Sequence, residues 1–425
     1  MSFGQRLQEI RNGFERPFWV ANVSEIFERI SYYGAFSSLA VYLQEKLNFS
    51  TEQTGTLTGI FGGMVWFLAI FGGAVADRLG FRRALSLAYL ILATAYFLIG
   101  SVGATWLAPI RNLVPLGFFV GFILILPALG VSMVKPCVVG TTARASKENV
   151  RSIGYSIYYT MVNIGGATGP YIADLAHKKL GLENVFRVSA LSVFAMFFLV
   201  LLLFREPKRE TGEPAPSVAR TMNNFGVVIG NPKFMLFLLI FTGYWIVYWQ
   251  QFITLPGYVH SHIDPNASVE RILITDGASV IALTLVINYL FRRMAAFHAV
   301  ILGTLISALS WVILAIHPAV WTCYAAIFVL SLGEIVHQPR YYEYISRLAP
   351  PGQQGTYMGF AFLPLGIGSL IGGWFGGKVM HYFGEITHHP QLAWLVITGV
   401  GVLTALLLLI YDRVVQPGRQ EQKSA

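Results

Sequence analysis

The sequence predicts an all-α membrane protein with twelve transmembrane helices in two six-helix pseudo-repeats, and three observations carry that expectation. Composition is the first. Hydrophobic residues fill 55% of 425 positions and charged residues only 12%, with mean hydropathy +0.59, whereas a soluble domain devotes about a quarter of its residues to charge. The second is a series of twelve apolar runs, each near the ~20 residues that a helix needs to cross a bilayer. The third is an internal repeat. An offset of 203 residues carries Pro136 to Pro339, Gly165 to Gly368, Gly169 to Gly372 and Gly181 to Gly384.

In order, the spans lie near 17–43, 54–76, 84–103, 112–140, 153–176, 186–204, 233–259, 272–291, 297–316, 319–346, 356–382 and 391–411. Several hold Pro or Gly, which predicts tilted or kinked helices. Residues 205–232, REPKRETGEPAPSVARTMNNFGVVIGNP, form the long polar connection. Their charge and Pro content suits a linker between an N-terminal half, 1–204, and a C-terminal half, 233–425. Two parallel six-helix repeats with a site at their interface describe the major facilitator architecture. The N-terminal stretch MSFGQRLQEIRNGFERP is too polar for a signal-peptide core, so the first span is expected to remain as an anchor.

Orientation follows from the basic residues. With both termini on one side, that side receives 20 of the 30 Lys and Arg and the other seven, leaving Arg29, Lys135 and Arg340 inside spans. That bias predicts cytoplasmic N- and C-termini in a cell (inner) membrane. The net charge of +9 is thus mostly a topology signal; scattered over loops, it argues against a nucleic-acid partner. Cys137 and Cys323 fall in apolar runs, as packing residues rather than a disulfide or thiolate site. The paired His388 and His389 have no evident further metal ligands around them.

Charge inside the first span is the sharpest functional signal. Glu25, Glu28 and Arg29 interrupt VANVSEIFERISYYGAFSSLAVYL, and each such group costs on the order of 2.5–3.5 kcal/mol at a bilayer centre. Positions 25, 28, 29, 32 and 36 recur at helical spacing, so both carboxylates, the guanidinium and Tyr32 share one face. In the fourth span, LPALGVSMVKPCVVG, Lys135 precedes Pro136, a residue expected to break the hydrogen-bond ladder and open the helix. In the tenth, Glu334, His337, Gln338 and Tyr341 form a polar stripe fit for a site wall, and Arg340 with Glu343 reads as a structural pair. The loop GGAVADRLGFRRAL carries Gly73-x-x-x-Asp77-Arg78-x-Gly80-x-Arg82-Arg83 and resembles the signature loop of the major facilitator superfamily. Asp77, Arg78 and Arg82 there suit a conformational latch, since rim ion pairs can form in one state and break in another.

Five segments resemble the proton-dependent oligopeptide transporter (POT/PTR) family. SEIFERISYYG, with Glu25-x-x-Glu28-Arg29 and Tyr32-Tyr33-Gly34, is similar to its first-helix signature, and GVSMVKP to its Lys-Pro element. YSIYYTMVNIGGATGP is similar to its fifth-helix signature, with Tyr159, Asn163 and Gly165 in matching places, and LGEIVHQPRYYEYISRLAP to its Gly-Glu…Pro…Ala-Pro segment, which supplies Glu334. The chain departs from that pattern at Cys137, where an Asn commonly follows Lys-Pro, and at Gln338, where a small residue precedes the Pro. YWIVYWQQFITLPGY resembles the family's aromatic-Gln segment, but Trp249 stands where an acid often does, so a gate built on a seventh-helix carboxylate is not expected. The extra helix pair found in many bacterial members is also missing, which implies a minimal twelve-helix form.

The resemblance implies proton-coupled symport of di- and tripeptides or peptide-like zwitterions by alternating access. Arg29 and Lys135 suit a substrate carboxylate, Glu334 its ammonium, and Glu25 and Glu28 the coupling proton. Tyr32, Tyr33, Tyr159 and Asn163 are candidates for side-chain pockets, with Trp245, Gln251 and Gln338 on the opposite wall. Partners are then a small-molecule substrate, protons and the lipid bilayer, and the chain is expected to be a monomer. No cofactor is expected, the proton gradient being the energy source. An alternative keeps the fold and changes the cargo to drugs, organic anions or amphiphiles, moved by antiport. Enzymatic readings find no HExxH pair, phosphate-binding loop or nucleophile–base pair in the sequence.

Overall fold

The computed structural model describes residues 13–207, 226–348 and 354–415. Among them the chain is helical, with one isolated bridge between Phe14 and Ser146. Each expected span carries a helix: α1 (Arg16–Glu45), α2 (Thr51–Leu79), α3 (Phe81–Ile99), α4 (Leu116–Arg144), α5 (Arg151–Leu180) and α6 (Leu182–Leu203) come before the long connection. After it come α7 (Pro232–Tyr248, continued by Gln250–Ile253 and Leu255–His262), α8 (Val269–Leu290), α9 (Ala296–Ser310, then Val312–Ile316), α10 (Val320–Leu348), α11 (Gln354–Phe360 and Leu363–Met380) and α12 (Gln391–Val415). Among the described residues, nine helices are long and apolar enough to cross a membrane. At 30 residues α1 is also long enough, but Glu25, Glu28 and Arg29 sit in its middle.

Two compact units divide the described residues: 13–35 with 68–207, and 36–67 with 226–348 and 354–415. In the first unit α3 packs on α4 and α6; in the second α9 packs on α10 and α12. The same connectivity six helices on is what the internal repeat requires. Its glycines have a physical task. A Cβ on Gly165 would lie 2.5 Å from the Cβ of Arg29, and one on Gly169 would lie 2.7 Å from the carbonyl of Ile30, so α1 seats on α5 only because both positions lack a side chain. Gly368 and Gly372 receive Trp245 and Ile246 of α7 against α11 in the same way. Gly181 separates α5 from α6 at φ 97°, whereas its counterpart Gly384 has no positive φ and lies in a π-helical turn.

The prolines behave differently from expectation. Pro136 does not open α4, which runs unbroken through both Pro127 and Pro136, and α10 likewise continues through Pro339. Each proline removes one backbone donor, but well-packed neighbours keep the helix axis going. The breaks fall instead in α7, after Tyr248 and Ile253, in α9, after Ser310, and in α11, after Phe360. At the start of α1, Phe14 ahead of the helix and Phe18 in its first turn pack on Ala145 and Val150, and Lys147 N donates to Gly13 O at 2.9 Å. That fastening fixes where α1 enters.

Candidate functional site

Helical spacing puts the three charges of α1 on one face, and packing buries that face: Glu25 and Glu28 are 0% exposed and Arg29 1%. Arg29 Nε donates to Glu28 Oε2 and lies 3.5 Å from Glu25 Oε1. Its guanidinium sits 5.2 Å from the centre of the Tyr32 ring, a cation–π contact that holds the head group without using its N–H donors. Lys135 of α4 lies close enough to interact electrostatically with Glu25, Glu28 and Arg29. Two acids and two bases therefore share one locale of the first unit, Glu25, Glu28 and Arg29 fully buried and Lys135 half-buried beside them. Their formal charges cancel, and deleting any one leaves a buried charge uncompensated, at a cost of about 3–5 kcal/mol. Capacity remains unused: Glu28 Oε1 and Arg29 Nη2 are buried without hydrogen-bond partners.

Tyrosines complete this locale. Tyr33 meets Tyr32 edge-on at 5.2 Å. Tyr89 and Tyr96 of α3, both 0% exposed, and Tyr158 of α5 lie within electrostatic range of the acids. The sequence patterns single out none of those three, because an isolated tyrosine in an apolar run also serves as packing. Tyr159 is 54% exposed, and Asn163 Nδ2 donates to its carbonyl at 2.8 Å.

The second unit holds another buried polar group. Glu334 of α10 has Oε2 buried with no hydrogen-bond partner, as does Gln338 Oε1. Asp276 of α8 stands beside it. Ser331 Oγ lies 2.6 Å from Asp276 Oδ1, while Tyr248 OH and Gln251 Nε2 approach Oδ2 at 3.1 and 3.5 Å. Asp276 is absent from the sequence-based candidates. It is the lone charged residue between Ile272 and Phe291, without a second charge at helical spacing; an acid in an apolar run was itself the available signal. Trp245 is 3% and Gln251 0% exposed. His337, 0% exposed, packs its ring 4.1 Å from that of Tyr244.

Other candidates take structural positions. Tyr341 OH donates to Ala361 O at 2.8 Å. Arg340 Nη1 lies 2.7 Å from Glu343 Oε2, and Arg347 Nη2 2.5 Å from Glu343 Oε1, extending the expected pair to three. Trp249 Nε1 donates to Leu365 O at 3.0 Å, so this ring ties α7 to α11. Of the latch residues, the Asp77 side chain lies outside the described residues, and Arg78 is exposed. Arg82 Nη2 donates to Leu201 O at 2.6 Å. The acid at this helix start is Glu206, whose carboxylate accepts from the backbone N–H groups of Phe81 and Arg82 at 2.7 and 2.9 Å. Among the described residues no group of three His, Cys, Asp or Glu could hold a metal ion.

Long apolar helices in two like sets, a few of them carrying buried charge in their middles, define a multi-pass membrane transport protein. The chain belongs to the Major Facilitator Superfamily, whose family model matches residues 23–360 and again 272–425, and it is a transporter rather than an enzyme. It is 22% identical over 400 residues to "Multidrug resistance protein MdtH" of Cronobacter sakazakii, covering 93% of this chain and 94% of that protein. It is 21% identical over 380 residues to the protein of the same name from Enterobacter sp. (strain 638), covering 89% and 90%. Among solved structures it is similar to a mutant of the peptide transporter POT in complex with sulfate, at TM-score 0.76 and 18% identity over 97% of this chain and 98% of that one. A POT family transporter in complex with 5-aminolevulinic acid gives TM-score 0.76 and 16% identity over 94% and 96%. The nucleoside transporter NupG, also a mutant, gives 0.74 and 14% over 93% and 99%. These likenesses establish the twelve-helix major facilitator fold, and the POT resemblance of the sequence is matched at the level of that fold.

Proposed function

We propose that this transporter is a proton-coupled symporter of di- and tripeptides or similar zwitterions, working by alternating access in a cell membrane with both termini cytoplasmic. The observation that carries the reading is the buried Glu25–Glu28–Arg29 cluster with Arg29 Nη2 unpartnered. A guanidinium with free N–H groups suits a carboxylate, and Lys135 adds a second positive charge nearby. When a substrate carboxylate engages these cations, a glutamate that loses its cation in a dry site takes up a proton. The loaded site is then neutral, so reorientation leaves no bare charge in a low-dielectric interior. Glu334 would take the substrate ammonium, with Tyr32, Tyr33, Tyr159, Asn163, Trp245, Gln251 and Gln338 shaping the side-chain space. Asp77, Arg78 and Arg82 would act as a rim latch, and the monomer would be the working unit. Purified protein in liposomes tests this directly: dialanine should accumulate only under an inward proton gradient. Gradient-independent flux would sink the symport reading.

A second reading has its own support. The curated relatives are named as multidrug resistance proteins, and α7 gathers Tyr244, Trp245, Tyr248 and Trp249 into one buried aromatic cluster, with centroids 5.1–5.9 Å apart. Aromatic faces of this kind suit flat lipophilic cations. Competition of dialanine uptake by a panel of peptides, amino acids and lipophilic cations separates the two cargo classes.

A further inference from the structure

The second unit contains a pair of acids that the coupling scheme above does not use as a pair. Asp276 of α8 and Glu334 of α10 are neighbours: Ser331, one turn before Glu334 on α10, donates from Oγ to Asp276 Oδ1 at 2.6 Å, which turns that face of α10 toward Asp276, and the two acids lie within electrostatic range of each other. Neither makes an ion pair: among the described residues no Lys, Arg or His lies within 4.0 Å of either carboxylate, whereas Glu25, Glu28, Asp174 and Glu343 each have such a partner. The titratable groups facing them are Tyr244 and Tyr248 of α7, both neutral as phenols near pH 7, and His337, one turn beyond Glu334, is held among the rings of Phe241 and Tyr244. Two bare carboxylates side by side with no cation repel each other and have no hydrogen to share; one proton bound between them removes the repulsion and supplies the donor for an O–H···O⁻ contact.

The remaining contacts point the same way. Asp276 has a hydroxyl or amide against each oxygen: Ser331 at Oδ1, and Tyr248 and Gln251 at Oδ2. Gln251 is fully buried and directs its amide nitrogen at Asp276, yet its own Oε1 has no partner, and neither does Glu334 Oε2. The pocket therefore has acceptor capacity to spare and no positive charge of its own. That is an environment for a proton or an ammonium.

We infer that Asp276 and Glu334 bind one proton between them and so present a single negative charge, matched to one cargo ammonium, making Asp276 a second proton-binding residue of this carrier. This rests on the reading of Glu334 as the ammonium site. The balance is simple: the proton stays on the pair, the ammonium brings one positive charge, and the loaded pocket is neutral. Asp276 is thus a positioning and charge-setting residue acting through Glu334.

Infrared difference spectroscopy on the purified protein in liposomes tests the inference without requiring transport. Wild type should show, at neutral pH, the carbonyl stretch of a protonated carboxylic acid that shifts in Asp276→Asn and in Glu334→Gln and is unmoved by Glu28→Gln. Tyr248→Phe, which removes a donor to Asp276 while keeping the ring, should also shift it, and serves if the Asn variant does not insert. Absence of the band in wild type, or a band indifferent to Asp276→Asn and Tyr248→Phe, overturns the shared proton. Dialanine counterflow gives the functional arm: its pH profile should move by about one unit in Asp276→Asn, and superimposable profiles would count against the assignment. If instead wild type fails to accumulate dialanine under a proton gradient while the band behaves as described, peptide symport falls and the acid pair stands.

Discussion

Glu28 is where proton coupling concentrates, because one of its oxygens is held by Arg29 and the other is buried without a partner. Replacing it by Gln keeps the shape and removes the titration. Glu28→Gln should cut gradient-driven dialanine accumulation by about tenfold or more, equivalent to about 1.4 kcal/mol, while leaving counterflow measurable. Vesicles containing equal amounts of each protein decide the matter, and loss of both activities with normal insertion would move the coupling elsewhere. Arg29→Lys is a sharper probe of substrate contact. Lysine retains the charge but not the planar fork, so affinity for dialanine should fall about tenfold, and for amines lacking a carboxylate it should hardly change. At this scale the sequence was legible where charges clustered. Glu25, Glu28, Arg29 and Lys135 announce themselves as costly groups in apolar runs, and the structure gathers them. Tyr89, Tyr96 and Asp276 were not, since the two tyrosines share an apolar helix with no charge beside them, Asp276 is the lone charge of its apolar run, and each acquires meaning only from what packs against it.

Elements were more legible than their interruptions. All twelve runs carry helices because length and hydropathy are summed over about 20 residues, which averages out local irregularity. The effect of a single proline is not averaged. Pro136 and Pro339 sit inside continuous helices, whereas Pro256 and Pro364 fall in the first turn after breaks in α7 and α11, and α7 also breaks at Trp249 with no proline beside it; packing from neighbours decides which prolines interrupt a helix. The start of α3 makes the same point. Glu206 lies 125 residues beyond the N–H of Phe81 that it accepts from, a distance in sequence that no capping pattern can reveal. An acid there satisfies orphan donors and complements the helix dipole. Glu206→Ala should lower stability by about 0.5–1 kcal/mol, visible as a modest fall in melting temperature in detergent that shrinks in high salt. An unchanged melt would show that the cap is replaced by water. The glycine seats offer a stronger perturbation. Gly165→Leu forces a side chain into Arg29 and the carbonyl of Ile26, so insertion-competent protein should drop several-fold, and Gly368→Leu should do likewise through Trp245.

On the scale of the whole molecule, transport demands that some contacts break and re-form in each cycle. The second unit has a set suited to that, made of polar side-chain contacts at helix ends rather than of packed apolar surface. His260 Nδ1 lies 2.6 Å from Glu45 Oε1, joining the end of α1 to the end of α7. Lys378 Nζ lies 3.1 Å from Glu52 Oε2, joining the start of α2 to the end of α11, with His381 3.9 Å from the same carboxylate. Exposed pairs of this kind are worth about 0–1 kcal/mol each, weak enough to be undone by thermal motion or by cargo and strong enough to bias a two-state equilibrium. Replacing the first pair by a disulfide converts a breakable tie into a covalent one. Glu45→Cys with His260→Cys, oxidised in vesicles, should stop net uptake and counterflow together, and a reductant should restore both. Glu45→Gln, which removes only the charge, should leave counterflow within about threefold of wild type, because a loss of ~0.5 kcal/mol shifts a population by little more than twofold. Undiminished flux through the oxidised double cysteine protein, with the cross-link verified by mass spectrometry, would show that these helix ends stay together throughout the cycle and that the moving contact lies elsewhere.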